Sequence, residues 1–273
     1  MIRVDAHHHV WRIARGDYGW LTPDLPIHRD YSLDDLRPHL ARAGIAATVL
    51  VQAAPTEAET DFMLEVMDAS DGLVRGVVGW APFDDVTRLA RRLADPRIVG
   101  IRPMLHDLAD DTWILWPEYD AALRAIAESG KVFDALIRPR HLRVITAFAD
   151  RHPGLRIVVD HAAKPAIRDG MWEPWATALA DLALRPNIAC KLSGMLTEAG
   201  GRDIARHVRH VLACFGPERV MFGSDWPVID LAGGYDAWFA RALSLLDDAA
   251  HAAVLGGSAM RFYRLNKPGE EQQ

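Results

Sequence analysis

Cysteine is nearly absent from this 273-residue chain: Cys190 and Cys214 are its whole complement. A disulfide scaffold is thereby excluded, and a reducing compartment is expected. Long apolar runs are missing too. No stretch approaches the roughly 20 residues that a membrane-spanning helix needs, and the start has neither a charged leader nor an apolar signal core. The expectation is a soluble, cytoplasmic protein with no membrane partner. Basic charge is not in excess, since 31 Lys and Arg face 37 Asp and Glu, a net charge of −6. Nucleic-acid binding relies on clustered cations that neutralise phosphates, so no such partner is expected. Finally, no G-x-G-x-x-G follows the first apolar run, which removes the usual dinucleotide fingerprint.

What the sequence does contain begins at its start. Val4-Asp5-Ala6-His7-His8-His9-Val10-Trp11 carries an apolar run into a histidine cluster. If residues 2–7 form a buried strand, alternation places the imidazoles of His7 and His9 on one side and that of His8 on the other. Two nitrogens so spaced can grip one metal ion. An affinity tag would sit in a polar, Gly/Ser-rich leader, not in an apolar pattern that leads into a tryptophan.

Seven further apolar or β-branched runs follow, at residues 46–52, 73–80, 98–104, 132–138, 155–161, 188–193 and 220–225. Helix signals lie between them. Ser32 precedes 33–43, Thr56-Glu57-Ala58-Glu59 reads as a capping box before 60–69, and Pro117 opens 118–129. Apolar periodicity marks 86–93, 141–151, 172–184, 203–215 and 235–246. Eight strand-helix units close without an edge as a (β/α)8 TIM barrel, expected as a single domain over residues 1–273. An open doubly wound sheet is the second choice. Residues 12–29, with Tyr18 and Trp20, are too long for an ordinary strand-helix connection and form a loop over the barrel mouth, as a lid or a packed cap. Residues 247–263 read as extra C-terminal helices, two short ones split at Gly256-Gly257, and 267–273 should fray.

Active sites of such barrels lie at the C-terminal strand ends. Those ends carry His7 and His9, Gln52, Arg102, Asp160-His161, Lys191 and Asp225-Trp226. Three histidines and a carboxylate, His7, His9, His161 and Asp225, make an N/N/N/O set for a divalent cation, with zinc favoured by the softness of imidazole.

The first stretch resembles the D-x-H-x-H signature of the amidohydrolase superfamily. Val159-Asp160-His161-Ala162-Ala163-Lys164-Pro165, Cys190-Lys191-Leu192-Ser193-Gly194 and Phe222-Gly223-Ser224-Asp225-Trp226-Pro227 are similar to its amidohydrolase-2 branch, which holds sugar-acid lactonases such as L-fuconolactonase and L-rhamnonolactonase. The likeness spans nearly the whole chain. It implies that His7, His9 and His161 are metal or active-site histidines and that Asp225 handles the proton of the attacking water. The fourth run, Ile98-Val99-Gly100-Ile101-Arg102-Pro103-Met104, lacks the lysine with which binuclear members bridge two metals. One divalent metal is therefore expected, zinc first, and some lactonases of this branch work without a tightly held one.

The expected function is a hydrolase of carbohydrate catabolism that opens a sugar-acid lactone, with a small-molecule sugar lactone as its partner and homo-oligomerisation left open. Asp225 serves as general base, with His161, Arg102 and Lys191 as further catalytic groups. Arg102 either stabilises an oxyanion and holds a sugar hydroxyl or sits in a structural ion pair. Lys191 either acts on substrate oxygens or pairs with Asp160 or Asp225. Gln52 and Trp226 suit neutral polyols through amide hydrogen bonds and stacking, although Trp226 equally suits plain packing. Arg138 and Arg140 are read as a solvated helix start. His106, His152, His207, His210 and His251 are read as ordinary surface or packing histidines. Rival functions are hydrolysis of a carboxylated aromatic-pathway lactone of the pyrone dicarboxylate or muconolactone type, a metal-dependent decarboxylase, and a catalytically silent sugar-binding barrel. A carboxylated substrate would want several pocket cations, and only Arg102 and Lys191 stand at expected mouth positions.

Overall fold

Eight parallel strands follow one another in sheet order β1 to β8 in the computed structural model, which describes residues 2–265. They are β1 (Arg3–His8), β2 (Ile45–Val51), β3 (Val74–Gly79), β4 (Ile98–Ile101), β5 (Val132–Ala135), β6 (Arg156–Val159), β7 (Ile188–Leu192) and β8 (Val220–Phe222). The barrel expected from the sequence is the fold observed. Its seam is closed at the mouth, where Asp225 N donates to His7 O at 2.8 Å and His9 N donates to Trp226 O at 2.7 Å. Buried Asp5 staples the same seam by accepting from Ser224 N at 2.9 Å and His7 N at 3.2 Å. Burial raises its carboxyl pKa to about 6 against the pull of those bonds.

The helices are α1 (Leu33–Ala43), α2 (Glu57–Asp68), α3 (Val86–Leu93), α4 (Asp120–Ser129), α5 (Leu142–Arg151), α6 (Trp175–Ala183), α7 (Met195–Ala199), α8 (Ala205–Phe215), α9 (Tyr235–Ser244), α10 (Asp248–Ala252) and α11 (Ser258–Phe262). The glycine pair at 256–257 lies in a π-helical turn between α10 and α11, as the split in the sequence suggests. Gly256 is fixed there by crowding, since a Cβ would lie 2.0 Å from Ile2 O under the barrel. Helix α7 has no forecast in the apolar periodicity, because five residues give barely one turn of pattern. The expected fraying of 267–273 falls outside the described residues. Among those described, no helix is long and apolar enough to cross a membrane.

Two corrections concern local signals. Thr56 Oγ1 accepts from Glu59 N at 3.0 Å, but the Glu59 carboxylate does not complete the box. It turns instead to Ala53 N and Ala54 N, at 2.9 and 2.7 Å, and satisfies the loop that follows β2. The strands are also shorter than the apolar runs. Gln52, Arg102, Asp160 and Asp225, expected at the ends of runs, lie just beyond their strands, whereas His7 and Lys191 lie within β1 and β7.

Inside the barrel, Val4, Ala6, Val49, Val78, Val132, Val158, Ala189 and Met221 pack with Tyr263 in one cluster, while a larger cluster fills the layer between strands and helices. This lower plug is apolar, as a closed barrel of eight strands requires. Polar residues begin only above it.

Candidate active site

The floor of the mouth is built from strand ends. The β1–β2 register runs Asp5↔Thr48 and then His8↔Leu50, so three steps on β1 match two on β2. That irregularity matters for function. Strict alternation from Val4 and Ala6 would turn His7 toward the helices; the extra residue turns it, with His9, into the barrel. His8 points the other way, and its Nε2 lies 2.9 Å from Thr48 Oγ1.

Three imidazoles meet one carboxylate oxygen. Asp225 Oδ1 lies 3.6 Å from His7 Nε2, 3.4 Å from His9 Nε2 and 3.8 Å from His161 Nε2. All four side chains are buried. Each imidazole is held from behind. His9 Nδ1 donates to Val51 O at 2.8 Å, which leaves Nε2 a lone pair turned to the hub. His161 Nδ1 is 2.8 Å from Ser193 Oγ, and His7 Nδ1 is 3.2 Å from Lys191 Nζ. Burial drives the His7 and His161 pKa values well below the ordinary range, so both rings are neutral at neutral pH. Burial pushes the Asp225 carboxyl up, but His161, His9 and Lys164 around it outweigh burial and hold the pKa below the usual range.

Backbone strain concentrates here. His161, Ala162, Ala163 and Lys164 have φ of 53°, 49°, 61° and 50°, and Asp225 has φ 60°. Left-handed conformations cost L residues about 1–2 kcal/mol each, and such strain persists where a site requires it. The turn after β6 brings His161 to the hub and carries Lys164 to the rim. Gly194 makes room for it: its φ is +61°, and a Cβ would lie 2.8 Å from His161 Nδ1.

Below the hub lies a buried ionic column. Lys191 Nζ is 2.6 Å from Asp134 Oδ2 and 3.0 Å from Asp160 Oδ1, and Arg102 Nη1 donates to Asp160 Oδ2 at 3.1 Å. Tyr263 OH, rising from the base, donates to Asp134 Oδ2 at 2.6 Å. Burial alone would raise the Asp160 carboxyl, yet Lys191, His7 and Arg102 hold it well below the usual range. Burial raises Asp134 despite Lys191.

This column relocates several residues expected at the mouth. Lys191, fully buried within β7, lies beneath the hub and pairs with Asp160, not Asp225. Arg102 is 2% exposed; it borders the cleft floor, but its guanidinium is engaged by Asp160 and by Gln52 O. Gln52 is buried, and its amide donates to Arg102 O at 2.8 Å, so it is spent on the loops and does not face the cleft. Trp226 is buried edge-on against Tyr31, with ring centroids 5.2 Å apart. Conversely, His106, Arg138 and Lys164 line the open cleft with His9, His161 and Asp225. The cleft holds about 310 Å³. Arg138 ends the fifth apolar run but reads from the sequence as a solvated helix start, and His106 and Lys164 are marked only by their place after strands four and six.

The 12–29 segment is mainly a packed cap. Tyr18, Leu21 and Ile27 are buried, while Trp20, 37% exposed, borders the cleft and is pinned by Nε1 donating to Ala53 O at 2.8 Å.

Donor atoms of His7, His9 and Asp225 all lie within 4.8 Å of one another, as do those of His7, Asp160 and His161. The first set fits one divalent cation: two imidazole nitrogens and a carboxylate oxygen, with an outer hydrogen bond fixing His9. In the second set Asp160 is already compensated by Arg102 and Lys191. β4 carries no lysine that could bridge a second ion.

The family model for amidohydrolases matches residues 4–265. An L-fucono-1,5-lactonase of Burkholderia ambifaria is 45% identical over 99% of this chain and 98% of that protein. An L-fucono-1,5-lactonase of Burkholderia multivorans is 35% identical over 98% of each. A crystal structure of an amidohydrolase from Burkholderia multivorans with bound zinc superposes with a TM-score of 0.89 at 35% identity, covering 97% of this chain and all of the other. The chain belongs to the amidohydrolase family.

Proposed function

We propose that this protein opens a sugar-acid 1,5-lactone to the free acid, with a neutral aldonolactone of the L-fucono type as substrate. The observation that carries this reading is the hub itself, a single carboxylate oxygen, Asp225 Oδ1, facing three imidazole nitrogens at the floor of a small cleft. The likeness to two L-fucono-1,5-lactonases along almost the full chain supports the substrate class over carboxylated aromatic lactones.

Lactone hydrolysis needs an activated water, a stabilised oxyanion and a proton for the departing ring oxygen. Asp225, ionised at neutral pH, accepts the proton as water attacks the carbonyl carbon. Arg102 borders the floor with its Nε unpartnered, and its fixed positive charge stabilises the oxyanion from below. As the ring C–O bond breaks, Asp225 returns the proton to the alkoxide, and one water has been added overall. His161, neutral and braced by Ser193, orients the water against Asp225. Lys191 acts at one remove by fixing Asp160 and His7. His7, His9, Asp225 and, beside them, His161 would hold a divalent ion, zinc first, which when bound would lower the pKa of its water.

A pH-indicator screen of aldonolactones tests this reading. Rapid acid release from a 6-deoxy lactone of L-galacto or L-manno configuration is the expected result. Release confined to carboxylated lactones would overturn it.

A further inference from the structure

A larger cavity of about 700 Å³ lies beside the 310 Å³ cleft, and Trp20, Met104 and Asp107 border both. Ligand pockets run from about 300 to 1,000 Å³, so the cleft alone sits at the lower end and suffices for one small ring. The annex more than doubles the space.

Its wall is aromatic: Trp80, Phe83, Trp113 and Tyr119 join Trp20. The rings brace one another, with Trp113 and Tyr119 centroids 4.3 Å apart and Phe83 edge-on to Trp113 at 5.3 Å. A wall so packed loses little side-chain freedom when a ligand lies on it. Its charged groups are carboxylates, Asp17, Asp84 and Asp107, with no Lys or Arg in the lining among the described residues. Asp17 is paired with Arg15 at 2.7 Å and Asp107 with His106 at 3.1 Å, whereas exposed Asp84 has no ion pair among the described residues.

Opposite fields meet at the junction. The cleft is bordered by Arg102, Arg138 and Lys164 beside Asp225, and the annex by carboxylates, with Asp107 common to both. An anionic group is disfavoured in the annex and a cationic one near the cleft, and a neutral group on the aromatic wall avoids the cost of desolvating a charge there. A group with one apolar face for the rings and hydroxyls for the carboxylates is a pyranose. We propose that the annex binds a second, neutral sugar ring and that the preferred substrates are lactones of oxidised disaccharides, the lactone ring in the cleft and the glycosyl ring on the aromatic wall. This rests on the lactonase reading and narrows its substrate class.

The test compares kcat/KM for a monosaccharide 1,5-lactone with that for disaccharide-derived lactones of the same reducing-end sugar in several linkages. At least one linkage should be favoured by about tenfold, the scale of one good stacking contact. Trp113→Ala and, as a variant with no packing role, Asp84→Ala should each lower that preference severalfold. Turnover of the monosaccharide lactone with no linkage preferred, or a preference unchanged in both folded variants, would overturn the annex. If no lactone of either kind were opened, the lactonase reading itself would fail, and the annex proposal with it.

Discussion

Two layers of charge lie a few ångströms apart in this barrel and do different things. In the lower layer Arg102, Lys191, Asp134 and Asp160 are buried, and each is matched by an opposite charge. In the upper layer Asp225 faces three imidazoles beneath an open cleft, and Arg138 and Lys164 stand on its rim. A charge sealed in the interior is tolerated only when paired, so the lower layer acts as a scaffold, with Arg102 also bordering the cleft floor. In the upper layer Asp225 is met by imidazoles and not by fixed cations, which under the proposed function leaves it able to accept a proton. Residue type alone does not tell the layers apart; depth along the strand does.

The sharpest break of that comparison is Lys191→Met. Removing Lys191 leaves buried Asp134 without a cation and Asp160 with Arg102 alone, and about 3–5 kcal/mol of unfolding free energy should be lost in a denaturant titration. A loss below about 1 kcal/mol would mean that the column is not a paired scaffold.

A second effect, smaller and dependent on pH, concerns Glu59 beside the cleft. Burial raises its pKa from 4.5 to about 7 despite bonds from Ala53 N and Ala54 N. The folded state therefore binds more protons than the unfolded state between those values, and stability falls as pH rises through about 7. At about 1.4 kcal/mol per pH unit the full penalty is about 3 kcal/mol at alkaline pH. Glu59→Gln lacks the charge but turns an amide nitrogen toward backbone N–H groups. It should be less stable than wild type at pH 5, with the gap narrowing at pH 8 in paired melts. Equal gaps at both values would contradict the assignment.

The smallest expected effect separates two neighbours. His8, whose pKa burial lowers to about 3, faces Thr48 behind the wall. His8→Asn should reduce kcat less than about tenfold, whereas His9→Asn, losing a hub nitrogen, should reduce it by at least another tenfold. Equal losses in folded variants would show that the β1 irregularity does not orient the cluster as described.

The fold was legible because strand-helix alternation is a long-range pattern repeated eight times, and the hub because its members follow strand ends. The facing of His7 was not fixed by alternation alone; an irregularity in β1 pairing decides it. Lys191 and Gln52 misled for local reasons that the apolar pattern does not carry: Lys191 lies within β7 beneath the mouth, and Gln52, one residue past β2, spends its amide on Arg102 O. His106, Arg138 and Lys164 stayed hidden because loop geometry, not periodicity, brings them to the cleft.

The central claim is that the Asp225 carboxylate is the proton acceptor at the hub, and kcat of Asp225→Asn for an L-fucono-type 1,5-lactone measures it most directly. The replacement is nearly isosteric and cannot accept the proton of water. The account predicts a folded variant with kcat reduced by about 10²–10⁴ and KM little changed. A folded variant that kept more than about a tenth of wild-type kcat, too much for a base of that size, would contradict it.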